Sequence, residues 1–110
     1  MSKLVQQVPE FMSTGTVGAV ARDKAGKIAT AASTGGLALR LPGRMGGTPL
    51  IGSGTYANEA GGCSVTGIGE GAIRLAVAKT ACDLIQRGSS PQKAAERSVQ
   101  RLQNRHLGKA

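Results

Sequence analysis

Aromatic side chains are nearly absent from this sequence: there is no tryptophan, one phenylalanine (Phe11) and one tyrosine (Tyr56) among 110 residues. Histidine is reduced to His106, which removes a Ser-His-Asp or Cys-His mechanism from within the chain and reads as a helix residue near solvent. The two cysteines, Cys63 and Cys82, show no CxxC or CxxH spacing, so no metal site is expected, and a disulfide framework is not expected either. Both read as free thiols of a reducing cytoplasm. No apolar run is long enough to span a bilayer or to serve as a secretory leader, so no membrane partner is expected. The six carboxylates are scattered, and only Glu70 adjoins a Gly-rich turn, so a paired acid–base site is a poor fit. Bulky apolar residues are also scarce: Ala supplies 16 of the 44 hydrophobic positions, while Leu, Ile, Val and Phe together number 22. Such a chain buries little apolar area for its length. It is either a strand-and-turn protein with tight backbone approaches or part of a core that another chain completes, and the composition favours the second.

Glycine and positive charge are what the chain has in excess. Its 17 glycines are about twice the usual share. The net charge is +8, and Arg87 to Ala110 alone holds six basic residues against Glu96, so a basic C-terminal segment follows a nearly neutral body. Met1 to Thr14 is weakly patterned and predicts no structure. Thr16 to Arg22 and Lys27 to Ser33 alternate apolar with small or polar residues around an Asp23-Lys24-Ala25-Gly26 turn, which predicts a hairpin. Thr34 to Gly54 carries seven glycines and two prolines and predicts a loop whose backbone comes close to something. Leu50 to Ala57 and Gly62 to Val65 predict two short inner strands.

Two helices are predicted to close the chain. Glu70 to Gln86 spaces Ile73, Val77, Ala81, Leu84 and Ile85 at helical steps, with Gly88 as the stop. Ser90 is a good N-cap with Pro91 in the first turn, and Ala95, Val99, Leu102 and His106 continue one face. Strands followed by helices predict an α+β domain, an antiparallel sheet with helices on one face.

Hydroxyl groups and backbone amides are the remaining chemistry. Thr14, Thr16, Ser33, Thr34, Ser64 and Thr66 lie beside glycines at predicted strand ends. A threonine hydroxyl is a weak nucleophile unless a base serves it. Its own α-amine, with a pKa of about 8, can do so when the threonine is an N-terminus. Gly15-Thr16 could generate one: Gly15 has no side chain to block attack of Thr16 Oγ1 on its carbonyl, and an N→O acyl shift followed by ester hydrolysis would release Thr16.

The string GTVGAVARDKAGKIATAASTGGLALRLPGR, then IGSGTYAN and VTGIGEGAIR, resembles the N-terminal-nucleophile (Ntn) asparaginases, in their plant-type L-asparaginase and isoaspartyl peptidase branch. The likeness runs from Gly15 to about Arg105. It implies an αββα sandwich and a threonine-dependent amidohydrolase acting on L-asparagine or β-aspartyl dipeptides after autocleavage at Gly15-Thr16. By that resemblance Thr16 is both autocleavage residue and nucleophile, and Thr34 in ASTGG orients it. Arg44 in PGR matches the arginine that clamps the substrate α-carboxylate, a task suited to a planar bidentate donor. Thr66 and Gly67 in TGIGE match the oxyanion hole and contact the substrate. Helix dipole from a helix starting near Glu70 would add to it.

One position departs from the pattern: Gly47 stands in the substrate site where the family has an aspartate for the substrate α-amino group. The resemblance further implies that residues 1–15 are a remnant of a preceding α-subunit and that 16–110 are the β-subunit catalytic region without its C-terminal strands. The expected partners are that α-subunit of the same precursor, in a dimer of αβ heterodimers, and a small-molecule or dipeptide substrate. No organic cofactor is expected, and the family's sodium-binding loop falls outside this chain. The rival reading is an inactive family fragment or a basic binding module using the stripe Lys93, Arg97, Arg101 and Arg105. Aromatics for stacking bases are missing, so nucleic acid is not the expected partner.

Overall fold

The computed structural model describes residues 13–67 and 69–106. The lead 1–12 and the side chain of His106 lie outside the described residues. The order is β1 (Ser13–Thr14), β2 (Val17–Arg22), β3 (Ile28–Ser33), β4 (Gly36–Leu37), β5 (Thr55–Ala57), β6 (Gly62–Ser64), then α1 (Gly69–Leu75), α2 (Val77–Gln86) and α3 (Pro91–His106). This is an α+β arrangement, as the sequence predicts.

The alternating segments form the predicted hairpin, β2 antiparallel to β3, from Arg22 opposite Ile28 to Val17 opposite Ser33. Asp23 closes its turn: the Lys27 amide donates to Asp23 Oδ1 at 2.8 Å, and the Gly26 amide to the Asp23 carbonyl at 3.1 Å. Gly26 takes φ +85, which a side chain would strain. A second antiparallel hairpin joins β5 to β6, with Asn58 Oδ1 accepting from the amides of Ala60 and Gly61.

The strands do not merge into one sheet; they form three two-stranded ladders, β1–β4, β2–β3 and β5–β6. The two longer hairpins stack face to face because glycine stands at the contact. A Cβ added at Gly62 would lie 2.8 Å from Thr30 Cγ2 and Val20 Cγ1, and one at Gly18 would overlap the Ser64 side chain. Thr55 Oγ1 donates to Thr30 Oγ1 at 2.6 Å across this interface. The predicted strand at Leu50 forms only from Thr55. Residues 50–54 turn instead, with the amides of Ser53 and Gly54 both donating to the Leu50 carbonyl and Gly52 at φ +96.

The predicted single helix 70–86 is two helices, broken at Ala76, which adopts φ +45 and ψ +55. The break turns the first amides of α2 towards the 50–54 turn: Ala78 N–H donates to the Ser53 carbonyl and Lys79 N–H to the Gly52 carbonyl at 2.9 Å. Orphan donors at a helix start need acceptors, and this loop supplies them. The α2 stop is as predicted. Gly88 at φ +103 donates to the Ile85 carbonyl and Ser89 to the Leu84 carbonyl, a Schellman pair. Ser90 Oγ accepts from the Lys93 amide at 3.2 Å, capping α3.

The core between β5–β6 and the helices is built from small residues: Ala72, Val77, Ala78, Ala81, Cys82 and Ala94 are buried. Close backbone approach substitutes for bulk, as at Gly61 against Ile85 and Gly71 against Leu102. Several large apolar side chains instead face out, among them Val17, Val20, Leu39, Leu41 and Ile51.

Candidate active site

The β2–β3 register decides what faces Thr16. Val17 is opposite Ser33, so one further step along the ladder sets Thr16 against Thr34. Their hydroxyls are 2.9 Å apart. Thr34 Oγ1 also accepts the Gly36 amide at 3.0 Å, so its own proton is available to Thr16 Oγ1, although the pair can share a proton either way. Just upstream, β1 holds Thr14 opposite Gly36, and Gly15 bridges to Thr16 with φ +39 and no atom within 4 Å of where its Cβ would stand. The Gly15-Thr16 peptide therefore sits in a left-handed bend between two ladders. Thr16 is half-buried and Thr34 exposed.

Thr66 and Gly67 follow β6, whose last residue, Ser64, lies under Gly18. That contact brings the end of β6 to the start of β2, which Thr16 immediately precedes. Both residues are exposed, and Gly67 takes φ +145 with open space around it. Such a position leaves backbone donors accessible to a ligand. The helix that follows has only seven residues, so the dipole predicted from one continuous helix is much reduced.

Gly47 is buried, and its carbonyl accepts from Ser53 Oγ at 3.0 Å and from the Leu50 amide at 3.0 Å. A Cβ at Gly69 would stand 2.5 Å from Gly47 N, and one at Gly54 would overlap the Gly47 carbonyl. This is the close backbone approach that the glycine-rich loop predicts. A Cβ at Gly47 itself would make ordinary contacts of 3.4–3.5 Å with Ser53 Oγ, Ala72 Cβ and Gly69 Cα.

Arg44 lies beside that loop but is not free. Its Nη2 donates to Glu70 Oε1 at 2.8 Å and Oε2 at 3.0 Å, and its Nε to Oε1 at 3.1 Å. The Arg44 hydrogen bonds, helped by the Glu70 backbone amide, hold the Glu70 carboxyl below the usual carboxylate range. The sequence puts Glu70 at the start of a predicted helix. Its position in the first turn of α1 is as read, but its pairing with Arg44, 26 residues upstream, was not predicted. The one available signal was that Glu70 alone among the acids adjoins a Gly-rich turn.

Among the described residues no group of three or more His, Cys, Asp or Glu could hold a metal ion. Cys63 and Cys82 are free thiols. Burial pushes the Cys82 thiol up to about 11 and raises Cys63 as well, so neither is an activated nucleophile. The basic stripe of α3 is solvated: Lys93, Arg97, Arg101 and Arg105 are all exposed, and Arg97 and Arg101 join Arg87 along a groove of about 380 Å³ between α2 and α3. No helix among the described residues is long and apolar enough to cross a membrane.

The sequence pattern of the family described as Asparaginase matches residues 2–110. The chain is 47% identical over 109 residues to the plant-type L-asparaginase of Pyrococcus abyssi, covering 99% of this chain and 35% of that protein. It is 43% identical over 95 residues to the isoaspartyl peptidase/L-asparaginase of Bos taurus, covering 86% and 31%. Identity to the isoaspartyl peptidase of Salmonella typhimurium is 50% over 92 residues, covering 82% and 29%. The chain thus spans about a third of the length of the curated relatives it matches.

Proposed function

The chain belongs to the asparaginase family, and from that premise we propose that it carries the nucleophile of a threonine-dependent amidohydrolase for L-asparagine or β-aspartyl dipeptides. The observation that carries the reading is the 2.9 Å hydroxyl pair of Thr16 and Thr34 directly after the bend at Gly15. Thr16 Oγ1 attacks the Gly15 carbonyl carbon, the acyl group passes from nitrogen to oxygen, and water hydrolyses the ester. Gly15 is left as a carboxylate, and Thr16 gains a free α-amine. Thr34 Oγ1, anchored by the Gly36 amide it accepts from, shares a hydrogen bond with Thr16 Oγ1 and so orients it.

In the hydrolytic cycle the Thr16 α-amine takes the proton of Oγ1 as that oxygen attacks the side-chain amide carbonyl of the substrate. Thr66 and Gly67 donate to the oxyanion as charge develops. The intermediate collapses, and the protonated amine returns its proton to the departing ammonia or amino acid. Water then releases aspartate from the Thr16 ester. Arg44 receives the substrate α-carboxylate. No step uses an organic cofactor or a metal, and a sodium ion would be held by residues outside this chain.

In this reading the fold is completed as an αββα sandwich. Its support is the two stacked hairpins with helices beyond one of them. The boundary at Gly15-Thr16 divides the precursor into an α-subunit and a β-subunit, which assemble as a pair of αβ heterodimers. The exposed Val17 of β2, on the face away from the Gly62 contact, supports a further packing layer there. The two free thiols support a cytoplasmic setting.

The test is the intact mass and N-terminal sequence of the protein expressed from its full natural reading frame. A new chain beginning at Thr16, absent from the Thr16→Ala variant, is the expected result. A folded protein that stays whole and releases no ammonia from asparagine refutes the proposal. Retention on an anionic polymer that falls with salt and ignores Thr16→Ala would favour the basic-helix alternative instead.

A further inference from the structure

Three arginines converge on the groove between α2 and α3. Thr80 and Leu84 of α2 and Arg87 at its C-cap fall at steps of four and three residues, and so share one face. Arg97 and Arg101, one turn apart on α3, line the groove with them. Its volume of about 380 Å³ is within the range of small-ligand sites. The floor carries no charge: Leu84 is half-buried and Ser98 buried, with the Ser98 hydroxyl donating back to the Ala94 carbonyl at 2.8 Å. Among the described residues none of the three guanidiniums makes an ion pair or a side-chain hydrogen bond. Asp83 is the one acid lining the groove, and Lys79 Nζ already donates to its Oδ2 at 2.8 Å. Glu96, the one acid of α3, lies on the neighbouring 92–96–100–104 row and accepts from Gln92 Nε2 at 3.0 Å. Arg97 and Arg101 repel one another at this spacing, and Arg87 adds a third like charge, so the cluster costs stability that a bound anion would restore.

We propose that this groove is a binding site for a compact polyphosphate, a short chain of linked phosphate groups either free or carried on a nucleotide. Guanidinium is the donor suited to it, being planar, always charged and able to give two parallel N–H bonds to one phosphate. Two helices supply three such forks, so adjacent phosphates are held from both walls at once. The apolar floor at Leu84 focuses the field of the three cations into the groove. Lys93 and Arg105 belong to the same basic stripe of α3 but do not line the groove. The site therefore distinguishes between residues of one helix, which a diffuse basic surface would not do. It goes beyond the amidohydrolase reading and does not depend on it, and its test reads binding rather than ammonia release.

The experiment titrates sodium triphosphate into the full natural protein by calorimetry at low salt, with ATP, adenosine and a single-stranded oligonucleotide as further probes. Arg87→Gln, Arg97→Gln and Arg101→Gln are each expected to weaken triphosphate binding about tenfold, the size of one charge-assisted contact. Lys93→Gln and Arg105→Gln, which remove the same charge outside the groove, are expected to change it by less than about twofold. Glutamine keeps a high helix propensity, and circular dichroism verifies that each variant is folded. ATP binding as tightly as triphosphate, with adenosine silent, supports recognition of the phosphate chain alone; ATP binding more tightly supports a nucleotide as its carrier. A folded wild-type protein that does not bind triphosphate overturns the proposal. Equal losses in the groove variants and in Lys93→Gln and Arg105→Gln overturn it in favour of a diffuse basic surface. Binding of the oligonucleotide without binding of triphosphate overturns it in favour of nucleic acid.

Discussion

Removing the Thr34 hydroxyl tests the geometry at Thr16 most directly. Thr34→Val keeps the branched shape and the strand-end conformation while deleting Oγ1, the atom that joins the Gly36 amide to Thr16 Oγ1. A hydrogen bond between neutral groups nets about 0.5–1.5 kcal/mol. If the bond to Thr16 strengthens by that amount in the transition state, its loss slows the step by roughly two- to tenfold. Stability should change by less than about 1 kcal/mol, because Thr34 is exposed and water replaces the lost partner. The assay is the rate of appearance of the Thr16 chain by intact mass, with ammonia release measured on the fully cleaved protein and a urea melt as the folding control. Both rates should fall together, since one hydroxyl serves both reactions, and Thr34→Ser should restore them. Unchanged rates in a folded Thr34→Val protein would refute the claim that this pair orients the nucleophile.

Four other outcomes follow from named contacts. Thr16→Ala should abolish self-cleavage and hydrolysis with the fold retained, whereas Thr16→Ser should keep partial activity by both measurements. Gly47→Asp should lower KM for asparagine in steady-state kinetics, since the new Cβ meets its neighbours at ordinary distances of 3.4–3.5 Å. Gly69→Ala drives a Cβ to 2.5 Å from Gly47 N and 2.8 Å from Gly46 Cα, both backbone atoms, and should cost about 1–3 kcal/mol in urea unfolding. Cys82, pushed by burial from its ordinary value of 9.0 up to about 11, should resist a thiol reagent at pH 8 until the protein unfolds. The unfolded thiol ionises first, so the stability contributed by the neutral buried group is intact below pH 9 and is lost as pH rises from 9 to 11.

Some of the site was legible because its signal is short in sequence. Alternation on either side of Asp23-Lys24-Ala25-Gly26 defines the β2–β3 hairpin, and a hairpin of that register leaves Thr16 and Thr34 as cross-strand neighbours. Ser90 and Gly88 mark a helix start and a helix stop through bonds spanning a few residues. Glu70 was harder. An acid in the first turn of a helix has a sufficient local explanation, and nothing near it in sequence announces a guanidinium 26 residues away.

Ala76 makes the same point from the backbone. Alanine is the best helix former, and the spacing from Ile73 through Ile85 runs through it without interruption, so every local rule predicts one helix. The break exists because Ala78 and Lys79 donate to carbonyls of the 50–54 turn, an alternative no local pattern contains. By itself, then, the sequence determined the elements whose bonds close within a few residues: hairpin, caps, stops, and the neighbouring threonines that follow from register. Tertiary structure alone decided the stacking of the hairpins at Gly18 and Gly62, the break at Ala76 and the Arg44–Glu70 pair. Each depends on a partner brought near by the fold, and the energy of such a contact is invisible until the chain has closed the loop between them.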